Sequence, residues 1–387
     1  MAHLEARKHI SPDSGFPITL HPAFNSKINQ HVPPEPVRKP QSVGKDRASY
    51  ADPKKKALFA VAKSIDLTES IGTVLENVQL SQLTPQQLDE LALKVTERGV
   101  VFFRDQDLTT DGQVELFQHY GILDRHPAQK DQKHVVIKGS TEDHREILSY
   151  IPWPSGDFHA DTSFEINPPS YSMLRMEEHP PVGGDTAWLS QYGLYDALSD
   201  AMKKHVDGLH AVHTSRLQYD TIIDLWGSAP NRPPVDTHHP AVRTHPVTGL
   251  KALNVNMGFV AGFAELKRKE SDYLMQFFEH HLHSADDHAV RWKWAVGSVA
   301  MWDNRCTLRR VIPASTVVYG EAYGRPSLER SVSFACGIAI QQLSNMKISI
   351  AYLDPSSISR AERASQEHRK DSNGVANGAA DGQTNDH

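Results

Sequence analysis

The 387-residue sequence is poor in cysteine, with two in all, Cys306 and Cys336. Two cysteines cannot build a disulfide framework, and without a CxxC pair they offer neither a zinc ribbon nor a dithiol redox motif. Long apolar runs are missing as well: no stretch approaches the roughly 20 consecutive apolar residues of a membrane-spanning helix. The opening residues, MAHLEARKHISPDSGF, lack the apolar core of a secretory signal. These absences lead us to expect a cytoplasmic protein with no membrane partner. Positive charge is not in excess either. The formal net charge of −6 argues against a nucleic-acid partner. No GxGxxG follows a first strand, which disfavours a doubly wound dinucleotide-binding sheet.

What is present is the profile of a globular protein, with 39% apolar and 23% charged residues. Residues 1–62 form a polar N-terminal extension, rich in Pro, Lys and Ser and expected to be largely irregular. Residues 346–387 read as a C-terminal segment that ends in a disordered tail. Between them, residues 63–345 make one domain. Its first helix is written in PQQLDELALKVTERG, which places Leu88, Leu91, Ala92 and Val95 on one face. Thr84 and Pro85 suit the start of that helix and Gly99 its end. VVFFRDQ follows as a short buried strand, and TDGQVELFQHYG as a second helix. LYDALSDAMKKHV and ELKRKESDYLMQFFEHHL read as further helices. Strand-like runs occupy 170–178, 186–191, 251–256, 294–304 and 330–340, each bounded by turn residues. Short strands with interposed helices define an α+β class built on a single antiparallel sandwich or barrel.

Histidine is abundant, with 22 residues, so spacing must decide which ones matter. The informative stretch is GDFHADTSFEINPPSY, where His159 and Asp161 are separated by one residue. On an extended strand two such side chains point to the same side. An imidazole and a carboxylate side by side are two thirds of a 2-His-1-carboxylate facial site, which binds Fe(II) and leaves positions open for a chelating co-substrate and O₂. Alone, an HxD pair is a weak signal.

Its company makes it stronger. Over roughly residues 65–342 the chain resembles the TauD/TfdA family of Fe(II)/2-oxoglutarate dioxygenases, most of all the fungal members. His159-Ala160-Asp161 is similar to the family's HxD strand, and Gly183-Gly184-Asp185-Thr186 to its GGDT turn. VAMWDNRCTLRRV is similar to its WDNRxTxH strand, and GRPSLERSV to its Arg-bearing closing strand. The resemblance implies a double-stranded β-helix (a cupin-like jelly roll) flanked by helices. It implies Fe(II) on His159 and Asp161, which are then both metal ligands and catalytic residues. 2-Oxoglutarate would be the co-substrate, O₂ the oxidant, and a small, anionic molecule the substrate. Thr186 and either Arg325 or Arg330 would clamp the distal carboxylate of 2-oxoglutarate. Arginine suits that task because its planar fork binds a carboxylate bidentately and stays charged. His126, just before Pro127, would meet the substrate. By analogy with relatives, a homo-oligomer is also compatible.

One position breaks the likeness. The family's WDNRxTxH histidine completes the iron site, whereas this chain reads Trp302-Asp303-Asn304-Arg305-Cys306-Thr307-Leu308-Arg309. Guanidinium has no lone pair to donate, and no histidine follows until His368. Three readings stay open at this stage. The chain is an oxygenase with two protein ligands, the third place going to water or to a remote side chain such as His213, His245 or His283. Or it is a non-catalytic member that keeps the fold and an anion pocket. Or Arg309 is a substitution, natural or introduced, in an otherwise ordinary enzyme. Cys306 is discounted as a substitute, since strand alternation turns it away from the face of residue 309. Trp302, Asp303 and Asn304 read as architectural.

Overall fold

The structure is a computed structural model that describes residues 38–40, 45–124, 135–137, 157–179, 183–216, 232–312 and 347–354. His126, Arg325, Arg330, Cys336 and the strand expected at 330–340 lie outside the described residues.

Ahead of the domain, Arg47–Tyr50 form a 3-10 turn and Lys56–Phe59 a single helical turn, α1. Strands β1 (Lys63–Asp66) and β2 (Thr73–Glu76) pair as a hairpin. Helix α2 (Pro85–Arg98) leads into β3 (Val100–Phe103), and helix α3 (Thr110–Phe117) into β4 (Ile122–Asp124). Next come β5 (Val135–Ile137), β6 (Tyr171–Glu178) and β7 (Thr186–Ser190). Helices α4 (Gln191–Asp196) and α5 (Asp200–Val206) precede β8 (His210–Thr214), β9 (Asp236–Pro240), β10 (Val242–Thr244), β11 (Lys251–Leu253) and β12 (Val260–Phe263). Helix α6 (Arg268–His283) is followed by β13 (Ala289–Trp292), β14 (Val299–Asp303), β15 (Thr307–Val311) and β16 (Lys347–Asp354).

Helix α2 forms where its end signals say it should. Thr84 and Gln87 make a reciprocal capping box, Pro85 opens the first turn, and Gly99 leaves the helix at φ 74°. The stretch read as one helix over residues 194–206 is two. Ser199 accepts from the Met202 amide and starts α5 afresh, so an internal N-cap overrides the apolar periodicity. The strand expected over 251–256 stops at Leu253, because Asn254 and Asn256 spend their side chains on backbone groups of Pro240 and Phe259.

The large sheet runs β1-β2-β3-β14-β6-β16-β4, with β5 also on β16. Apart from the β2–β3 contact, its pairings are antiparallel. One face of β3 and β14 packs against α2 through Leu91, Val95, Val101, Phe103 and Met301. Its other face meets a three-stranded sheet, β13-β7-β15. Between the two sheets Trp188 of β7 and Trp302 of β14 approach to 5.8 Å, and Phe102 stacks on Trp292 at 4.3 Å. Helices α4, α5 and α6 cover the outer side of the small sheet. The described residues thus form the α+β, antiparallel two-sheet core expected from the strand pattern.

The arm is partly built into this core. Asp46 is buried, accepts from the Tyr171 hydroxyl at 2.9 Å and pairs with Arg305 at 2.6 Å. Asn167 donates to the Lys39 carbonyl. Residues 45–62 thus include a 3-10 turn, a helical turn and a buried ion pair that ties them to the core.

Candidate active site

The small sheet brings the candidate residues together. Arg309 of β15 lies opposite Trp188 of β7 and, on its free side, opposite His159. Reciprocal backbone bonds hold that bridge: His159 N–H to Arg309 O at 3.0 Å and Arg309 N–H to His159 O at 2.8 Å. The HxD segment is not a regular strand. After this one bridge the chain turns, with Thr162 at φ 40°. His159 and Asp161 still converge, with Nε2 3.8 Å from Oδ1, but the turn brings them together rather than strand alternation.

Each side chain is held from behind. The Asp157 carbonyl lies 2.8 Å from His159 Nδ1, which fixes the proton there and leaves the Nε2 lone pair facing Asp161. His283, in the last turn of α6, bonds the Asp157 carboxylate at 2.8 Å. Ser172 of β6 donates to Asp161 Oδ2 at 2.9 Å. Asn304 donates to Ser172 and accepts from the Asp161 amide and the Trp302 indole. Gly258 is needed behind the imidazole, since a Cβ there would stand 2.8 Å from the His159 Cβ. The sequence had assigned Asn304 to architecture and passed over Ser172, Asp157 and Gly258. A small hydroxyl between the apolar residues Tyr171 and Met173 was the one available signal for Ser172.

Arg309 completes the group. It is 9% exposed, its guanidinium lies 5.2 Å from the Trp302 ring, and its Nη2 bonds Asp161 Oδ1 at 2.5 Å. Burial together with the Arg309 charge pushes the His159 imidazole down to about 4, so it is neutral at physiological pH. Burial would raise the Asp161 carboxyl, but the Arg309 charge and the Ser172 bond outweigh it and hold the group ionised, below its ordinary range.

Thr186 opens β7 after the GGDT turn, where Gly183 and Gly184 both adopt left-handed backbone at φ 81° and 76°. Its hydroxyl accepts from the Trp294 indole at 2.9 Å, and it lies across from Val311, two residues along β15 from Arg309. Among the described residues none of the remote histidines joins His159 and Asp161 in a three-donor cluster. His213 bonds Ser163 at 3.0 Å, His245 bonds Asp303 at 3.0 Å, and His283 serves Asp157. Cys306 precedes β15 in the turn beneath Tyr192 and Ala252, and burial pushes its thiol well above the ordinary value. Among the described residues His245, Asp303 and Cys306 place three donors within 4.8 Å. Asp303 is already spent there, clasped by Arg305 through two bonds and by His245. That cluster is a structural brace.

Residues 63–310 match the family described as taurine catabolism dioxygenase TauD, TfdA. The chain belongs to this family of Fe(II)- and 2-oxoglutarate-dependent dioxygenases, whose fold is the cupin-like double-stranded β-helix. It is 36% identical over 289 residues to an alpha-ketoglutarate-dependent dioxygenase of Penicillium expansum, covering 70% of this chain and 80% of that one. An alpha-ketoglutarate-dependent sulfonate dioxygenase of Saccharomyces cerevisiae is 34% identical over 247 residues, with 62% and 60% covered. Among solved structures, a taurine dioxygenase from Burkholderia xenovorans aligns with a TM-score of 0.56 at 26% identity, over 76% of this chain and 90% of that one. The matched range includes Arg309 and ends before Arg325 and Arg330. Among the described residues no helix is long and apolar enough to cross a membrane.

Iron is the metal this family implies, and the described residues meet it only in part. His159 and Asp161 offer a nitrogen and an oxygen donor, 3.8 Å apart. Arg309 stands where a third donor is needed, carries a positive charge, and already occupies Asp161 Oδ1. As it stands, the group does not fit a three-ligand iron centre.

Proposed function

We propose that this pocket serves the oxidation of a C–H bond in a small, anionic substrate, coupled to conversion of 2-oxoglutarate to succinate and CO₂. The observation that carries the reading is the convergence of a neutral, oriented His159 and an ionised Asp161 on the inner edge of the small sheet. His159 and Asp161 form the metal-facing pair. Thr186, opposite Val311 and two residues along β15 from Arg309, is proposed as the hydroxyl that helps hold the distal carboxylate of 2-oxoglutarate. Arg325 or Arg330 is proposed as its charged partner and His126 as a substrate contact. A sulfonate is the first substrate class to try, given the yeast relative; amino-acid-derived and secondary metabolites follow. The protein supplies placement, charge complementarity and exclusion of water, and iron supplies the reactivity when bound.

A second reading, a non-catalytic member that keeps the pocket for ligand binding, is favoured by the bond between Arg309 and Asp161. One assay separates the two. The wild type and an Arg309→His variant are each supplied with Fe(II), 2-oxoglutarate, O₂ and a panel of small sulfonates and carboxylates. Succinate formed in step with substrate loss by the wild type supports the oxygenase, and Arg309→His should raise it. Binding of 2-oxoglutarate without succinate in the wild type supports the alternative and overturns the oxygenase reading, whether or not the variant turns over.

A further inference from the structure

We infer that Arg309 is a resident cation that takes the electrostatic place of a divalent metal at the His159–Asp161 pair, so that the wild-type site holds itself together without a metal and resists loading. The inference rests on the pocket assignment above, and adds what decides whether that pocket can be charged with metal at all.

Three observations carry it. The backbone bridge puts residue 309 directly across from His159, so the register places its side chain at the third corner of the site. The guanidinium bonds Asp161 through Oδ1, the same oxygen that faces His159 Nε2. An ion gripped by both donors would have to share or displace that contact. Finally, both partners are buried, Arg309 at 9% and Asp161 at 3% exposure, so their opposite charges meet out of water. A metal that claimed Asp161 would take the oxygen that Arg309 Nη2 bonds and would stand as a dication beside a buried guanidinium. A histidine at 309 would instead add a neutral donor and remove the competing charge. Loss of a supporting residue around a metal ligand alone costs about 10–100-fold in affinity. Loss of a ligand together with a competing cation should cost at least ~100-fold.

Cobalt(II) alone serves as the probe, since its visible spectrum reports nitrogen and oxygen ligation without turnover. Full-length wild type, Arg309→His, Arg309→Gln and the double variant His159→Ala/Arg309→His are titrated, with thermal unfolding followed in parallel. Arg309→His should bind one equivalent at least ~100-fold more tightly than wild type, lose it in the double variant, and gain melting temperature with cobalt. Arg309→Gln, which removes the charge without adding a strong donor, should gain at least ~10-fold. Wild type that binds one equivalent as tightly as Arg309→His, in a manner lost on His159→Ala, overturns the inference. So does a folded Arg309→His that gains nothing; should that variant not fold, an unchanged Arg309→Gln overturns it in its place. The oxygenase reading fails separately: Arg309→His that binds cobalt, yet makes no succinate when given Fe(II), 2-oxoglutarate and O₂, leaves the resident-cation inference standing.

Discussion

Asp161 sits at the meeting point of three elements: the turn after His159, strand β6 through Ser172, and strand β15 through Arg309. Its energetics should follow from that placement. Asp161→Asn removes the negative charge that the buried guanidinium bonds, and breaking such a buried pair costs about 3–5 kcal/mol. Ser172→Ala removes one hydrogen bond to a charged oxygen, worth about 1.5–3 kcal/mol, and the neutral one accepted from Asn304, worth about 0.5–1.5 kcal/mol. Urea unfolding of both variants tests the ranking, and a costlier Ser172→Ala would sink the account of Arg309 as a charge partner. Gly258→Ala should displace His159, because the added methyl would meet the histidine Cβ at 2.8 Å. A shift of the His159 ring resonances at unchanged overall fold would register it.

Helix α2 and strand β15 show how local signals place distant chemistry. The Thr84 hydroxyl bonds the Gln87 amide, so Thr84→Ala should cost about 1 kcal/mol in chemical denaturation, as an ordinary N-cap does. Gly99 has two constraints at once. Its φ of 74° disfavours any L side chain, and a Cβ would lie 2.7 Å from Thr307 Cγ2, at the start of the strand that carries Arg309. Gly99→Ala should therefore cost about 1–3 kcal/mol. It should also perturb cobalt binding in the Arg309→His background, which Thr84→Ala should leave alone. Equal effects of the two exchanges on cobalt binding would mean that the helix end does not set the position of β15.

Across the whole molecule the buried histidines make stability depend on pH. Burial pushes His239 down to about 4, and it lowers His213, His245 and His119 as well, His213 the furthest of these three. In the unfolded chain an imidazole takes up a proton near pH ~6.5. The unfolded state therefore binds more protons than the folded state between that value and about 4, and stability rises with pH across this window. The melting temperature should fall steadily from pH 7 to pH 5. Below the window the depressed carboxylates Asp66, Asp157 and Asp161 add a loss of the same sign. A melting temperature that is flat or rising on acidification to pH 5 would show that these histidines are hydrated or charged in the native state.

The one-dimensional pattern determined the elements whose signals are local: the ends of α2, the fully buried β3 and the GGDT turn. These depend on caps, periodicity and glycine backbone freedom, which neighbouring residues decide among themselves. The same pattern identified Arg309 as the odd residue of the site, since a guanidinium cannot donate a lone pair whatever surrounds it. Its placement needed the third dimension. Only the packed sheets put residue 309 across from His159 and its charge on Asp161. Only they bring Ser172, Asn304, Asp157 and Gly258 behind the pair, from segments far apart in the chain. Register between strands and the burial of opposite charges are properties of packing, and packing is where this site was decided.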